Sequence, residues 1–214
     1  MIEIKNLTYQ YQNQTTLEFP DVLLEADQSC LVLGNSGVGK TTFLHLVGGL
    51  MRPKTGTIDI DGKDITKMSG RKLDLYRGQQ IGIIFQKNHF VSALSVIDNM
   101  LLAQKLAGSH TDKNFCLRLL DQLNIKQYGQ KLCSSLSEGE KQRVSIARSL
   151  VNKPALVLAD EPTSALDDEN CTAVIQLLKQ QTEEIDASLI IVTHDNRLKE
   201  FVDKRIVLEK ITHA

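Results

Sequence analysis

The sequence predicts an α/β protein in which a parallel-rich sheet is combined with an N-terminal antiparallel β subdomain and an inserted helical subdomain. The runs "ALVLA" at 155–159 and "SLIIV" at 188–192 are almost continuously apolar, and polar residues follow each. Strands that are buried on both faces by helices have this pattern. Residues 167–185, between the two runs, carry apolar side chains at helical spacing. Strand and helix therefore alternate along this part of the chain, as a parallel sheet requires.

The N-terminal third predicts strands joined by short turns, followed by one helix. Ile2 and Ile4 alternate with polar residues, and the apolar run "SCLVL" at 29–33 predicts a further strand. The stretch from Phe43 to Leu50 is apolar at helical spacing. "TGTIDIDGKDI" at 55–65 then alternates around an Asp-Gly pair, which is a strong signal for a hairpin.

Residues 87–151 differ from the rest of the chain in their sequence pattern and glycine content. They follow "IGIIFQ" at 81–86, which predicts a buried strand ending in a polar residue. Helical patterns dominate beyond it, and glycine is sparse until Gly139. We therefore expect one domain over residues 1–214, with a helical subdomain inserted at approximately 87–151.

Composition narrows the class of protein. The apolar share of 42% is enough for a sizeable core, and the net charge of −1 gives no electrostatic reason to expect nucleic-acid binding. The apolar runs are far shorter than the ~20 residues of a membrane helix, and "MIEIKNLTY" shows no signal-peptide pattern. We expect a cytoplasmic protein that meets a membrane through a partner. The four cysteines have no metal-ligand spacing, as expected for thiols in a reducing compartment: Cys30, Cys116, Cys133 and Cys171.

A glycine-rich segment between a predicted strand and a predicted helix has the spacing of a phosphate-binding P-loop. Its glycines let backbone N–H groups close around phosphate oxygens, and the start of the next helix adds partial positive charge. Lys40 can reach the outer phosphates, and the Thr41 hydroxyl can ligate Mg²⁺. The predicted nucleotide-binding residues of this segment are Gly34, Asn35, Ser36, Gly37, Val38, Gly39, Lys40, Thr41 and Thr42.

Two acids follow the apolar run at 155–159. Asp160 stands where a predicted parallel strand ends, which is the edge at which ligands bind in such sheets. It is therefore a candidate to hold Mg²⁺ through water. Glu161, one position further on, is free to polarise an attacking water and is the candidate general base.

Three more side chains are candidates for the same site. Gln86 ends a predicted strand and opens the helical subdomain, so its amide can contact both Mg²⁺ and water and can move with that subdomain. His194 follows the apolar run at 188–192 and the threonine after it. From this position it can hydrogen-bond a γ-phosphate. Tyr11 can stack on a base.

Taken in their order along the chain, these motifs resemble those of ATP-binding-cassette (ABC) ATPases. The resemblance covers essentially the whole chain. Tyr11 aligns with the aromatic A-loop residue of that family, with Tyr9 as a competitor. The remaining matches are the Walker A motif at 34–42, the Q-loop at Gln86, the signature motif (usually LSGGQ) at "LSEGEKQR" 136–143, Walker B at "LVLADEP" 156–162, the D-loop at "SALD" 164–167 and the switch histidine at His194.

The resemblance implies a P-loop NTPase (RecA-like) core that binds ATP and Mg²⁺, hydrolyses ATP and forms a head-to-tail homodimer. In such a dimer the signature motif of one chain covers the ATP held by the other chain. Ser137 and the backbone of Gly139 would contact the γ-phosphate, and Asp167 would belong to the same nucleotide interface. Two residues depart from the family pattern: Glu138 replaces its first glycine and Glu140 its glutamine. We expect the Glu138 carboxylate to point away from the phosphates.

The resemblance also implies a transmembrane permease as partner, with the chain peripheral on the inner face of the cell membrane. "YRGQQIGIIFQKNHF" at 76–90 resembles the ATPases of lipoprotein release and MacB-type export. We expect the stretch from His89 to Asn99 to dock on the permease. The alternative is a soluble ABC ATPase working on nucleic acid or ribosomes, or a cell-division relative. The near-neutral charge and the absence of a long heptad run disfavour the nucleic-acid class.

Overall fold

The structure is a computed structural model that describes residues 1–12, 15–164 and 168–209, with the backbone alone at 168–170. Within these ranges the chain forms two five-stranded sheets and six α-helices. The strands are β1 (Ile2–Tyr9), β2 (Leu17–Glu18), β3 (Val22–Leu24), β4 (Ser29–Leu33), β5 (Thr55–Ile60), β6 (Lys63–Asp64), β7 (Ile81–Ile84), β8 (Leu156–Asp160), β9 (Ser188–Thr193) and β10 (Lys204–Val207). The helices are α1 (Lys40–Val47), α2 (Gly70–Gln80), α3 (Val96–Leu106), α4 (Lys113–Gln122), α5 (Glu138–Leu150) and α6 (Asp168–Glu183).

The second sheet is parallel throughout, in the order β10-β4-β9-β8-β7. Alternate residues of its central strands enter two different hydrophobic clusters. In β9, Leu189 and Ile191 pack with α5 and α6, whereas Ile190 and Val192 pack with α1 and the first sheet. Both faces of the sheet are therefore buried, as the continuous apolar runs predicted. The parallel α/β core is confirmed.

The first sheet is antiparallel and is built by the N-terminal strands, as predicted. Strand β1 pairs with β2, β3 and β5, and β5 pairs with β6. The turn between β5 and β6 places Asp61 at φ 50° and Gly62 at φ 75°. These left-handed values are the ones a two-residue hairpin turn needs, so the Asp-Gly pair does what its sequence signal indicated.

Helices α3, α4 and α5 fill the segment expected to be helical, between β7 and β8. Helix α5 packs tightly on β7 at Gly82, where an added Cβ would lie 2.4 Å from the carbonyl oxygen of Ser149. Asn99 is buried and ties the preceding loop to α3, because its amide donates to the carbonyls of Val91, Leu94 and Ser95.

Helix α2 was not anticipated from the sequence. Tyr76 is its buried residue, and its hydroxyl donates to the Ile60 carbonyl of β5 at 2.7 Å. A helix that buries so little apolar surface has no hydrophobic stripe, so hydrophobic periodicity could not reveal it.

Candidate nucleotide-binding site

The glycine-rich segment forms a loop between the end of β4 and the start of α1. Gly37 and Gly39 have φ values of 77° and 106°, in the left-handed region that glycine adopts without strain. A Cβ at Gly37 would meet no atom within 4 Å. Open space above the loop and backbone N–H groups at a helix start together suit an anionic ligand. Gly34 and Val38 lie behind the loop instead, and Val38 is buried in the core.

Lys40 opens α1 and is nearly buried. Its ammonium donates to the carbonyls of Gly34 at 2.8 Å and Asn35 at 3.2 Å, and lies 3.9 Å from a carboxylate oxygen of Glu161. The cation therefore sits between the loop and the ends of the parallel strands. Charged groups of both signs meet there, and both side chains are nearly buried.

Glu161 follows β8 with a side chain that is 10% exposed. One carboxylate oxygen accepts a hydrogen bond from the Thr193 hydroxyl at 2.7 Å, and the other lies 2.8 Å from Nδ1 of His194. The backbone of Glu161 has φ 47°, an unusual value for a non-glycine residue and one that clusters at functional sites. The structure thus places two of the predicted catalytic residues, Glu161 and His194, in direct contact. The structure also places Thr193 in this site, although the sequence analysis did not name it. Its position at the polar end of a predicted strand could have indicated this role.

Asp160 ends β8 and is buried behind Thr41. The Thr41 hydroxyl hydrogen-bonds to it, but burial dominates and raises the pKa of Asp160 above the ordinary carboxyl value. Its Oδ1 atom has no hydrogen-bond partner among the described residues. An unpartnered buried carboxylate oxygen beside a hydroxyl fits a Mg²⁺ ion with its water ligands, because hard oxygen donors are what Mg²⁺ prefers. Thr41 and Asp160 are thus suited to hold the metal.

A cavity of about 720 Å³ joins these groups. Its walls bring together the P-loop, Glu161, His194 and two residues from distant parts of the chain, Tyr11 and Gln86. Leu17 of β2 also lines it, and a lone leucine in a short strand gave no signal of this in the sequence.

The two tyrosines near the N-terminus have different surroundings. Tyr11 lines the cavity, is 39% exposed, and its hydroxyl is 2.9 Å from that of Thr42. Tyr9 belongs to β1 and packs its ring edge-on against Tyr11, with 4.8 Å between ring centroids. The exposed ring at the cavity mouth is therefore that of Tyr11.

The signature segment, residues 136–143, starts α5 and does not line this cavity. Ser137 is the N-cap residue of α5 and forms a capping box with Glu140. Glu138 is turned toward Lys141, at 2.8 Å, and its side chain is 67% exposed. Asp167, the predicted D-loop residue, lies outside the described residues.

Comparisons with known proteins agree with this arrangement. The ABC transporter family matches residues 19–164. The chain is 36% identical to the lipoprotein-releasing system ATP-binding protein LolD of Idiomarina loihiensis, over 98% of this chain and 94% of the relative. It is 33% identical to LolD of Bacteroides fragilis, over 96% of each.

A solved structure of the ATP-binding cassette MJ0796, a dimeric post-hydrolysis state bound to ADP and Pi, superposes with a TM-score of 0.86. It is 29% identical and is matched over 98% of this chain and 94% of that one. In the described ranges of our chain, no helix has both the length and the apolar character to cross a membrane. The chain belongs to the ABC transporter family and is one of its ATP-hydrolysing subunits.

Proposed function

We propose that the chain binds MgATP in the 720 Å³ cavity, hydrolyses it with Glu161 and His194, and thereby powers a membrane permease that releases or exports lipoproteins. The observation that carries the proposal is the meeting of Lys40, Glu161 and His194 in one cavity, because a phosphate-binding cation, a general base and a second polar group are then within reach of one another. The lipoprotein substrate is proposed from the names of the relatives.

The roles proposed for the residues follow from their positions. Lys40 neutralises charge on the outer phosphates, while Thr41 and Asp160 hold Mg²⁺, which supplies Lewis-acid stabilisation of the phosphoryl oxygens. Glu161 orients or deprotonates the attacking water, and His194 hydrogen-bonds the γ-phosphate. Thr193 fixes the Glu161 carboxylate through its 2.7 Å hydrogen bond.

The proposed catalytic test is the substitution Glu161→Gln. The amide retains an oxygen that can accept from Thr193 but is not a base, so ATP should bind normally. Hydrolysis should fall by about 10²–10⁴-fold, the usual loss when a general base is removed. Turnover near that of the wild type would transfer the catalytic role to another group.

We further propose that two chains pair head to tail, with the signature segment of each covering ATP in the other. Ser137 and Gly139 lie at the start of α5 in the helical subdomain, outside the cavity that Lys40 lines. A helix start with a hydroxyl and a glycine can bind an anion, and this one lies outside the chain's own nucleotide cavity. Asp167 is proposed to belong to the same interface.

A mixed dimer tests this pairing. One chain carries Lys40→Ala and the other Ser137→Arg, and both carry Glu161→Gln so that bound ATP is not consumed. If the signature acts in trans, one composite site of the mixed dimer collects both lesions and the other is intact, so each mixed dimer should trap about one ATP. Each variant alone is the control and should trap none. A mixture that also traps none would refute the pairing.

The proposed permease contact is a groove of about 610 Å³ between the α/β core and the helical subdomain. Leu50, Val91 and Leu106 present exposed apolar side chains there, with Leu106 71% exposed. Arg148 lies beside them, donating to the carbonyl of His89 and stacking on Phe90. Such an apolar groove suits a cytoplasmic segment of the permease with one apolar face.

The loop after Gln86 is proposed to carry motion to this groove. Gln86 lines the nucleotide cavity and also a second cavity of about 350 Å³, which reaches Glu138 and Lys141 at the start of α5. Within the segment expected to dock, Val91 lines the groove, whereas Phe90 packs against the hydrophobic cluster that the parallel sheet shares with the helices. Val91 is therefore the better residue for a docking test.

The docking test compares Val91→Glu with Leu23→Glu, a matched change at an equally exposed aliphatic residue outside the groove. A charge at position 91 should reduce co-purification of the permease and abolish its stimulation of ATP hydrolysis, since the apolar face of the permease would have to cover a charged side chain. ATP affinity of the isolated chain should be unchanged in both variants. Equal recovery of the permease with the two variants would exclude the groove as the docking site.

A further inference from the structure

Ser137 is fully occupied by a residue of its own chain. Its backbone N–H donates to Oε2 of Glu140 at 2.7 Å, and its hydroxyl lies 2.9 Å from the same oxygen. The Glu140 backbone N–H returns a hydrogen bond to the Ser137 hydroxyl at 3.3 Å. A carboxylate therefore already accepts from the serine groups that a phosphate oxygen would approach.

Neighbouring groups stabilise the ionised form of this carboxylate. Hydrogen bonds from Tyr128, and then from Ser137, hold the pKa of Glu140 below its ordinary value, and Lys131 contributes in the same direction. Glu140 is thus a negative charge fixed at the start of α5, where the helix dipole also favours it.

The neighbouring acid has a different arrangement. The carboxylate of Glu138 is 2.8 Å from the Lys141 ammonium, so its charge is locally compensated. The two acids of the signature segment therefore differ in what they do, although both add one negative charge at the same helix start.

We propose that Glu140 is a positioning residue that competes with the γ-phosphate of the partner's ATP for Ser137 and so weakens closure of the ATP-bound dimer. The inference rests on the proposed action of the signature segment in trans. When the dimer closes, the Ser137 hydroxyl must redirect its hydrogen from Glu140 to the phosphate, and the carboxylate then faces the triphosphate charge. Closure is therefore harder than it would be with a neutral residue at this position.

The test is Glu140→Gln on the Glu161→Gln background. Glutamine also fits the capping box, since its carbonyl oxygen can accept from Ser137, so the fold should be retained while the charge is removed. The melting temperature should fall only slightly, because the helix dipole favours an acid at this position. Each symmetrical dimer contains two signature segments. A gain of about threefold per site, in the range of a single exposed charge interaction, gives about tenfold tighter ATP-dependent dimerisation.

Glu138→Gln on the same background is the matched control, because it changes the net charge equally but leaves Ser137 and Glu140 as they are. The dimerisation constant is measured by sedimentation with saturating MgATP at several salt concentrations. The gain from Glu140→Gln should exceed that from Glu138→Gln and should shrink as salt screens the charge. ATP affinity of the monomer should be the same in all variants.

The outcomes separate the inference from the proposed function. If the Glu161→Gln chain dimerises with ATP and Glu140→Gln gives no greater gain than Glu138→Gln, Glu140 is not a competitor and the inference is wrong. If neither chain dimerises with ATP, the pairing in trans and the inference fail together. Dimerisation that appears only with Glu140→Gln would support both.

Discussion

Replacing Asp160 with asparagine should stabilise the chain in the absence of nucleotide while removing its response to magnesium. The carboxylate is buried, its Oδ1 atom has no partner among the described residues, and burial raises its pKa. An unsatisfied buried group costs about 1–3 kcal/mol, and here Thr41, His45 and Lys40 offset part of it. A neutral amide is cheaper to bury. We expect a gain of about 1–2 kcal/mol, which is about 2–8 °C in melting temperature for a chain of this size.

The assay is thermal unfolding in EDTA, then with ATP in EDTA, then with MgATP. A ligand at 100 times its Kd stabilises the native state by about 2.7 kcal/mol, so the wild type should melt higher with MgATP than with ATP alone. In Asp160→Asn that difference should vanish. The result combines a gain of stability with a loss of function, which a general folding defect cannot produce.

Asp195→Asn is the matched control, and we expect it to change the stability in the opposite direction. Arg197 donates to both carboxylate oxygens of Asp195 and holds the pKa of that group below its ordinary value. Its charge is therefore compensated, and removing it should lower stability. If Asp160→Asn melts at or below the wild type in EDTA, the carboxylate is not an uncompensated charge. A persistent response to magnesium would show that another residue holds the metal.

Three further changes follow from the same structure. Lys40→Ala should abolish ATP binding, measured by calorimetry, while circular dichroism stays that of the wild type. Tyr11→Leu should weaken binding of ATP more than binding of inorganic triphosphate, since the exposed ring can stack only on a base; equal losses would contradict this role. Gly82→Ala should cost about 1–3 kcal/mol in urea unfolding, because its Cβ would lie 2.4 Å from the Ser149 carbonyl oxygen; a neutral effect would show that α5 can move away from β7.

Local sequence patterns were sufficient to predict the strands of the core and most of the residues that line the nucleotide cavity. The apolar runs that became β8 and β9 are buried on both faces, and such burial leaves no alternation to misread. The P-loop could be recognised because a tight phosphate cradle needs glycines at fixed spacing, and Gly37 and Gly39 do adopt left-handed angles. Asp160 and Glu161 could be located because parallel strands end at a common edge.

Tertiary structure decided what depends on partners distant in sequence. Tyr9 competes with Tyr11 in the sequence, and the end of β1 decides which ring reaches the cavity, because Tyr9 lies in the strand and Tyr11 follows it. Helix α2 buries little and therefore left no periodic signal. The signature segment shows only two acids in sequence; the direction of each side chain decides that Glu138 pairs with Lys141 and Glu140 with Ser137. Residue types thus specify which chemistry is possible, whereas side-chain direction and burial, set by the whole fold, specify which group performs it.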